Sequence, residues 1–376
     1  NKSIIAGGGF QYRKENVTLR GNYQYSDISR NYRNDSLDIA GFTRFSTDDY
    51  YGKNQFVELY SSIGIAKGFT LLQGADYRYN SMRSKFYSLS SFGPFTSQFK
   101  DTAHSQSSAY ASLFYNSPNE KLNVEIGGRL NVHSRYGNNM TYTFNPSYSF
   151  TQHFRVFGSV ATGFKAPTLF QLFSPSNGRS DLKPEESKTI EGGVQQLHKK
   201  IQSRAVYFHR TIENGLDFNY ISFRYFNFIK QTVKGLEVET TWLPLDGLTI
   251  NANYTHLNPD ETTQSRVNFK DTTYNYLLRR PEHSINLSVG YQVKSGPFIS
   301  LSGKYVSDRH DVGGYQRADV LLDKYFLLNA YAEYQLKPSL KVFADAQNIT
   351  NKKFFDVRGY NSIPLLFNAG ITFSIQ

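Results

Sequence analysis

The stretch Val17-Thr-Leu-Arg-Gly-Asn-Tyr-Gln-Tyr25 alternates residue by residue, with apolar residues or glycine at its odd positions and polar residues at its even positions. Because side chains of an extended strand point alternately to opposite faces, one face of this segment is apolar and the other is polar. The same period of two recurs in Leu122–Val132, Leu248–Tyr254, Ile285–Tyr291 and Phe367–Phe373. No stretch shows the period of an amphipathic helix, so the sequence predicts an all-β chain.

Segments of this kind predict about seventeen strands, most of them about 9–13 residues long, where globular strands cluster near 5–6. The predicted spans are 4–12, 17–26, 54–66, 69–80, 107–116, 121–134, 140–151, 154–162, 187–198, 201–213, 231–243, 248–257, 283–293, 298–307, 325–336, 340–349 and 366–375.

The connections between the predicted strands alternate in length. Short ones, such as Lys67-Gly68 and Lys199-Lys200, take turns with long ones, such as 27–53, 81–106 and 163–186. In an up-and-down meander every second connection lies at the same end, so one end carries tight turns and the other carries long loops. That asymmetry, with strands long enough to cross a bilayer when tilted, is typical of outer-membrane proteins. The sequence therefore predicts a transmembrane antiparallel up-and-down β-barrel.

Composition agrees with this fold and excludes several others. The chain is 39% hydrophobic and 16% aromatic, carries a net charge of +11 and has no cysteine. Disulfide frameworks, thiolate metal sites and cysteine nucleophiles are thereby excluded. The strands are too long for a β-sandwich, and no repeat indicates a propeller or solenoid. Since the positive charge is spread over both ends of the strands, nucleic acid is not expected as a partner.

The strand count bears on how much of a barrel the chain contains. The last predicted strand, 366–375, ends on the side of the short turns. When the strands are counted back from it, the first strand, 4–12, begins on the side of the long loops. Single-chain outer-membrane barrels have an even strand number and begin at the periplasmic side. We expect residues 1–376 to be the C-terminal portion of one barrel domain of about 22 strands, with the first strands outside this chain. The alternative is a smaller complete barrel with one strand miscounted.

Motifs in the second half of the chain carry a family resemblance. Gly163-Phe-Lys-Ala-Pro-Thr-Leu-Phe-Gln-Leu-Phe173 is followed by Asp181-Leu-Lys-Pro-Glu-Glu-Ser187 and Glu191-Gly-Gly193. This set resembles a loop between adjacent strands in the vitamin B12 and colicin I receptor branch of the TonB-dependent outer-membrane receptors. Arg279-Arg-Pro-Glu-His283, just before a predicted strand, is similar to the same branch.

Two further segments resemble the family more widely. Val233-Lys-Gly-Leu-Glu-Val-Glu239 is similar to a common barrel strand, and the region from Leu340 to Tyr360 is similar to the closing hairpin. Two features depart from the family pattern: Asn361–Phe367 has no arginine shortly after Gly-Tyr, and Phe373 is followed by Ser-Ile-Gln. The resemblance covers most of residues 160–376, whereas the first half agrees in strand rhythm only.

The resemblance implies energy-dependent uptake of a scarce, bulky ligand across the bacterial outer membrane, with cobalamin or another corrinoid as the first expectation. A ferric-siderophore or other metal-chelate receptor is the alternative within the family, and a passive porin or adhesin is the alternative outside it. Implied partners are the protein's own plug domain and TonB, reached through a region N-terminal to this chain, together with lipopolysaccharide or membrane lipid. The sequence does not decide whether a surface lipoprotein is a further partner. Neither enzymatic activity nor a cofactor is expected.

The loop 164–187 is the first candidate ligand site. Phe164, Phe170 and Phe173 can form the floor of an apolar pocket, with Lys165 and Gln171 as polar guides. The alternative is that these residues set the shape of the loop.

Other candidates lie in or near the remaining long connections. The aromatic rings of Tyr50, Tyr51, Tyr315 and Tyr360 can stack on a planar ligand, or belong to the girdle at the membrane interface. The cation Arg309 is a further candidate for ligand binding, or it meets phosphate groups of lipopolysaccharide.

No metal site follows from the sequence. Its eight histidines are scattered and form no HExxH-like pair, and Asp48-Asp49 with Asp35 and Asp38 lack a regular Ca²⁺-loop spacing. No histidine lies between Phe164–Pro167 and Asp181–Pro184, which argues against the haem-uptake branch of the family.

Overall fold

The computed structural model describes residues 1–35 and 43–374; Asp38 and the end of the predicted strand 366–375 lie outside the described residues. Within these ranges the chain forms strands and one short helix. They are β1 (Lys2–Lys14), β2 (Val17–Asp35), β3 (Thr43–Ala66), β4 (Phe69–Ser90), β5 (Gly93–Asn116), β6 (Leu122–His133), β7 (Gly137–Ser149), β8 (Phe154–Lys165), α1 (Leu169–Phe173), β9 (Glu185–Leu197), β10 (Ile201–Glu213), β11 (Leu216–Asn219), β12 (Arg224–Asn227), β13 (Lys230–Trp242), β14 (Leu248–Gln264), β15 (Asp271–Tyr274), β16 (His283–Gln292), β17 (Phe298–Val306), β18 (Arg309–Asp311), β19 (Val320–Leu322), β20 (Tyr325–Lys337), β21 (Leu340–Gln347) and β22 (Leu366–Phe373).

Each of the seventeen predicted strands has a counterpart among these elements, and the prediction of an almost all-β chain is confirmed. Of the described residues, only five form an α-helix, and no described helix has the length and hydropathy needed to cross a membrane. The short strands β11, β12, β15, β18 and β19 and the helix α1 all fall inside predicted long connections, so these connections carry secondary structure of their own.

The residues group into two compact units. The first contains 1–146, 160–188 and 212–229, and the second contains 147–159, 189–211 and 230–376. In the first unit β1 to β6 pair in chain order, each strand antiparallel to the next. In the second unit β13, β14, β16, β17, β20, β21 and β22 do the same. Both units are therefore up-and-down meanders.

The first unit differs from the prediction in the connections 27–53 and 81–106, which are largely strand. The ladder between β2 and β3 continues to the pair Asp35 and Phe45, and that between β4 and β5 continues to Ser90 and Gly93. Only Ser91-Phe92 separates β4 from β5. A strand that extends beyond the bilayer into water no longer needs an apolar face, so the alternation disappears while the backbone ladder continues.

The polar face of β2 to β6 is held together by hydrogen bonds between neighbouring strands. Glu58 accepts from Asn22 at 3.3 Å and from the Tyr110 hydroxyl at 2.8 Å. The side chain of Asp76 is 1% exposed and pairs with Arg129. These bonds tie neighbouring strands together and make this face rigid enough to position side chains at its far end.

Candidate functional site

A cavity of about 540 Å³ lies on the polar face of the first unit, towards the ends of the strands that are far from the short turns. Its wall is built by Tyr50 of β3, Asn80 and Met82 of β4, His104 of β5 and His133 of β6. These residues share one face because the ladder pairs Asn80 with His104. The long-loop end of such strands faces the outside of the cell in outer-membrane barrels.

The helix α1 closes one side of this cavity. Thr168 caps it: the Thr168 hydroxyl accepts from the Gln171 amide at 3.2 Å, and the Gln171 side chain accepts from the Thr168 amide at 2.8 Å. This capping box fixes the direction in which the chain enters the helix. Leu169 and Leu172 are buried, and Leu169 lines the cavity. The helix is therefore packed against the cavity rather than projecting from a loop.

An aromatic cluster stands beside the cavity. The ring of Phe170 meets Tyr50 edge-on, with centroids 5.9 Å apart, and meets Tyr225 at 6.2 Å. Phe218 contacts Tyr225 at 5.1 Å and Tyr220 at 5.4 Å. Tyr225 is tied to the loop that follows α1, because its amide donates to the carbonyl of Asn177 at 3.0 Å. Two predicted site residues, Tyr50 and Phe170, are thus brought together.

Two histidines that the sequence left unassigned lie in the same cavity. The rings of His104 and His133 are 4.9 Å apart between centroids. Burial, with a smaller contribution from the nearby His133, lowers the pKa of His104 to about 4. Its Nδ1 atom is buried and has no hydrogen-bond partner among the described residues. The cavity therefore contains a neutral imidazole that can accept a hydrogen bond or ligate a metal.

The other predicted residues of the first unit have separate surroundings. Tyr51 lies on the opposite face of β3 from Tyr50, with the Arg83 guanidinium 4.6 Å above its ring. Phe164 is half-buried at the end of β8, and the exposed Lys165 is 3.7 Å from Glu185.

The side chains of Phe173 and Gln171 stabilise the loop 164–187. The Arg135 guanidinium lies 5.4 Å above the Phe173 ring, and Arg135 also donates to the carbonyl of Ser180. Gln171 is occupied by the capping box. For these two residues the geometry agrees with the alternative interpretation, in which the motif sets the shape of the loop.

In the second unit, Arg309 is buried rather than displayed on a loop. Its side chain is 3% exposed, donates to the carbonyl of Phe355 at 2.8 Å and lies 3.4 Å from Asp356. Tyr315 and Tyr360 are 67% and 72% exposed, and Tyr360 borders a second cavity of about 380 Å³.

Residue spacing gives no signal for the two histidines, because it identifies only pairs that are close in sequence. His104 and His133 are 29 residues apart, yet the β5–β6 ladder pairs Gln106 with His133. When paired residues are counted outward from the short turn at 117–121, the two histidines fall next to each other. Strand register counted in this way is the sequence signal that identifies such pairs.

A β-barrel of the outer membrane, with a cavity towards the long-loop end of its strands, is the class of protein that this fold and site indicate. Residues 2–349 match the family model described as "TonB dependent receptor-like, beta-barrel". The chain belongs to the TonB-dependent receptor family and is a protein of the bacterial outer membrane.

The vitamin B12 transporter BtuB of Vibrio cholerae is 25% identical over 243 residues, which are 63% of this chain and 37% of that protein. The chain thus spans little more than a third of the length of this relative.

Two solved structures show the same fold. The copper transporter OprC superposes with a TM-score of 0.80 at 12% identity, covering 99% of this chain and 65% of that one. The ferripyoverdine receptor of Pseudomonas aeruginosa superposes with a TM-score of 0.75 at 14% identity, covering 99% and 56%.

Proposed function

We propose that the protein containing this chain is a TonB-dependent active transporter that takes up a corrinoid of the cobalamin class. The observation that carries the proposal is the cavity on the polar face, walled by Tyr50 and His104 and closed by α1. The sequence similarity to vitamin B12 transporters supports the corrinoid over other ligands.

The chemistry of the cavity suits a corrinoid. Such a ligand is a flat macrocycle with an apolar body and a rim of amide side chains. Aromatic rings such as Tyr50 and Phe170 pack on an apolar body, whereas Asn54, Asn80 and Gln106 can pair with amides. A neutral His104 adds no charge to this surface. The arrangement binds a large, uncharged, partly planar molecule by contact area and amide hydrogen bonds.

In this proposal, transport follows the pattern that the family resemblance implies. The ligand binds from the outside, a plug domain moves when TonB pulls on it, and the ligand passes inward without chemical change. The protein is therefore proposed as a transporter and neither an enzyme nor a passive pore.

A second candidate is the uptake of an anionic ferric chelate. Lys53 and Arg78 also line the cavity, and cations of this kind attract anionic ligands. A ferric catecholate carries several negative charges, whereas cyanocobalamin has one phosphodiester and no net charge, so these two cations are the specific observation in favour of a siderophore.

The test is binding of cyanocobalamin and of a ferric catecholate to the intact protein, followed by uptake in cells with and without TonB. We expect cobalamin binding, and roughly a two- to tenfold loss of affinity in Tyr50→Ala from the lost aromatic contact. Tyr51→Ala, on the opposite face of the same strand, is the matched control and should bind normally. Binding of the ferric chelate alone would replace the corrinoid proposal by the second candidate. Uptake that persists without TonB would overturn active transport.

A further inference from the structure

We propose that His256, Glu282 and His283 form a binding site for a divalent first-row transition ion such as Zn²⁺. One ligand atom from each of these residues lies within 4.8 Å of those of the other two. In residues 1–35 and 43–374 this is the one set of three metal-ligating side chains so arranged. The set belongs to the second unit, whereas the ligand cavity belongs to the first, so this proposal does not depend on the proposed function.

The backbone brings the three residues together. His256 of β14 pairs directly with His283 at the start of β16, and Glu282 immediately precedes His283. The Leu257 amide donates to the carbonyl of Glu282 at 2.9 Å, and the His283 amide donates to Ser307 at 3.0 Å. The ligand atoms are therefore carried by a hydrogen-bonded ladder, which orients them at little further entropic cost.

The distances are close to those that a tetrahedral ion requires. Zinc bonds of about 2.0–2.2 Å place neighbouring ligand atoms about 3.3 Å apart. His283 Nε2 and Glu282 Oε1 are 3.5 Å apart already. The two imidazole rings are nearly parallel, at 19°, with centroids 4.8 Å apart. Side-chain rotations that move the ligand atoms by roughly 1 Å complete a three-ligand site. The fourth position is left for water.

Tyr254 contacts the ring nitrogen of His283 that does not face Glu282. Its hydroxyl lies 2.9 Å from His283 Nδ1, and the two rings stack at 11°. When Nδ1–H donates to this hydroxyl, the lone pair of His283 is on Nε2, the atom that faces Glu282. Metal-ligating histidines are commonly fixed by such a bond to their other nitrogen. The hydroxyl can accept this bond as well as donate one, so its position is compatible with the tautomer that a metal needs.

An independent observation comes from His256. Its Nδ1 atom is buried and has no hydrogen-bond partner among the residues that the structure describes. A buried polar atom left in this way costs free energy, which coordination to an ion recovers.

The donor set selects the class of ion. Two imidazoles and one carboxylate suit Zn²⁺ and its first-row neighbours, whereas Mg²⁺ and Ca²⁺ prefer oxygen atoms alone. Among the divalent ions of the first row, Cu²⁺ is expected to bind such a site more tightly than Zn²⁺.

The test uses the intact protein in detergent, purified without a histidine tag and titrated with Zn²⁺ by calorimetry. One ion per chain is expected for the wild type, and that stoichiometric binding should disappear in His283→Ala and in His256→Ala. Tyr254→Phe keeps all three ligands and should weaken binding about tenfold. Cobalt(II) titrated in place of zinc should give the visible absorption of a tetrahedral site, and Glu282→Gln should alter it.

The matched control is His153→Ala. His153 meets the ring of His198 edge-on with centroids 5.2 Å apart, and this pair belongs to no described set of three ligating residues. The control should bind Zn²⁺ as the wild type does. Absence of Zn²⁺ binding in the wild type, or a loss that follows His153→Ala or His104→Ala instead of His283→Ala, would overturn the proposal. Should a histidine variant fail to fold, Tyr254→Phe and Glu282→Gln still decide between these outcomes.

Discussion

His104 shows how a barrel strand can hold an imidazole neutral. The residue lies on β5 beyond the predicted membrane-spanning segment 107–116 and faces the cavity. Burial is the larger cause of its lowered pKa, because the charged form loses solvation there, and the neighbouring His133 adds to the effect. The same burial is expected to make the folded protein sensitive to acid.

A first prediction concerns this acid sensitivity. In the unfolded chain a histidine takes up its proton near pH 6.5, whereas in the folded protein His104 does so at about 4. Between these values the unfolded state binds more protons, so the free energy of unfolding should fall as the pH drops from about 6.5 to 4. His104→Gln should show a smaller fall in the same window, measured by denaturant unfolding at several pH values. An imidazole NMR signal of His104 that titrates near 6.5 would contradict the prediction.

At the scale of single residues, the sequence predicts only part of the candidate site. Tyr50 and Phe170 were predicted from residue type and from their place in long connections, and they do meet. The histidines were missed because their proximity depends on strand register, which residue spacing alone does not reveal. The burial of Arg309 is likewise set by the carbonyl of Phe355, 46 positions further along the chain.

At the scale of elements, the strands were predictable because alternation reflects two different media on the two faces of a strand. Where both faces meet water, as in the part of β4 beyond Ser81, this signal is lost although the ladder continues. The helix α1 had a sequence signal that strand counting did not use. Thr168 and Gln171 have the spacing of a capping box.

A second prediction tests whether this cap positions α1. Thr168→Ala removes the hydroxyl that accepts from Gln171, and we expect a local loss of about 1 kcal/mol in the stability of the helix. Amide hydrogen exchange of residues 169–173 should become faster, and ligand affinity should fall as Phe170 leaves Tyr50.

The control for this change is Gln171→Glu, which retains the spacing and chemistry of a capping box and should exchange as slowly as the wild type. Equal exchange rates in Thr168→Ala and the wild type would show that packing of Leu169 and Leu172, rather than the cap, holds the helix.

At the scale of the whole molecule, the apolar faces of the strands are explained by lipid. Ile285, Leu287, Ile299 and Leu301 are 43–50% exposed and lie on one face of the β16–β17 ladder. In a water-soluble protein a continuous patch of this kind marks an interaction surface, but in this family it faces the bilayer.

A third prediction places a charge on this face. Leu287→Arg should lower the free energy of unfolding from a bilayer by about 2–4 kcal/mol, because a guanidinium near the middle of the membrane is poorly solvated. Ser288→Arg, one residue further along and on the opposite face of the strand, should destabilise the folded protein much less. Folding into lipid vesicles, followed by urea titration, measures both. Equal losses in the two variants would mean that the assignment of faces is wrong.

The pairing of each long strand with its successor in the chain has an evolutionary consequence. A hairpin and the loop above it can be exchanged as a cassette without re-pairing any other strand. The small β11–β12 and β18–β19 hairpins already show how such additions fit inside a connection. A receptor built in this way can change its exposed loops one at a time and keep its membrane-spanning strands unchanged.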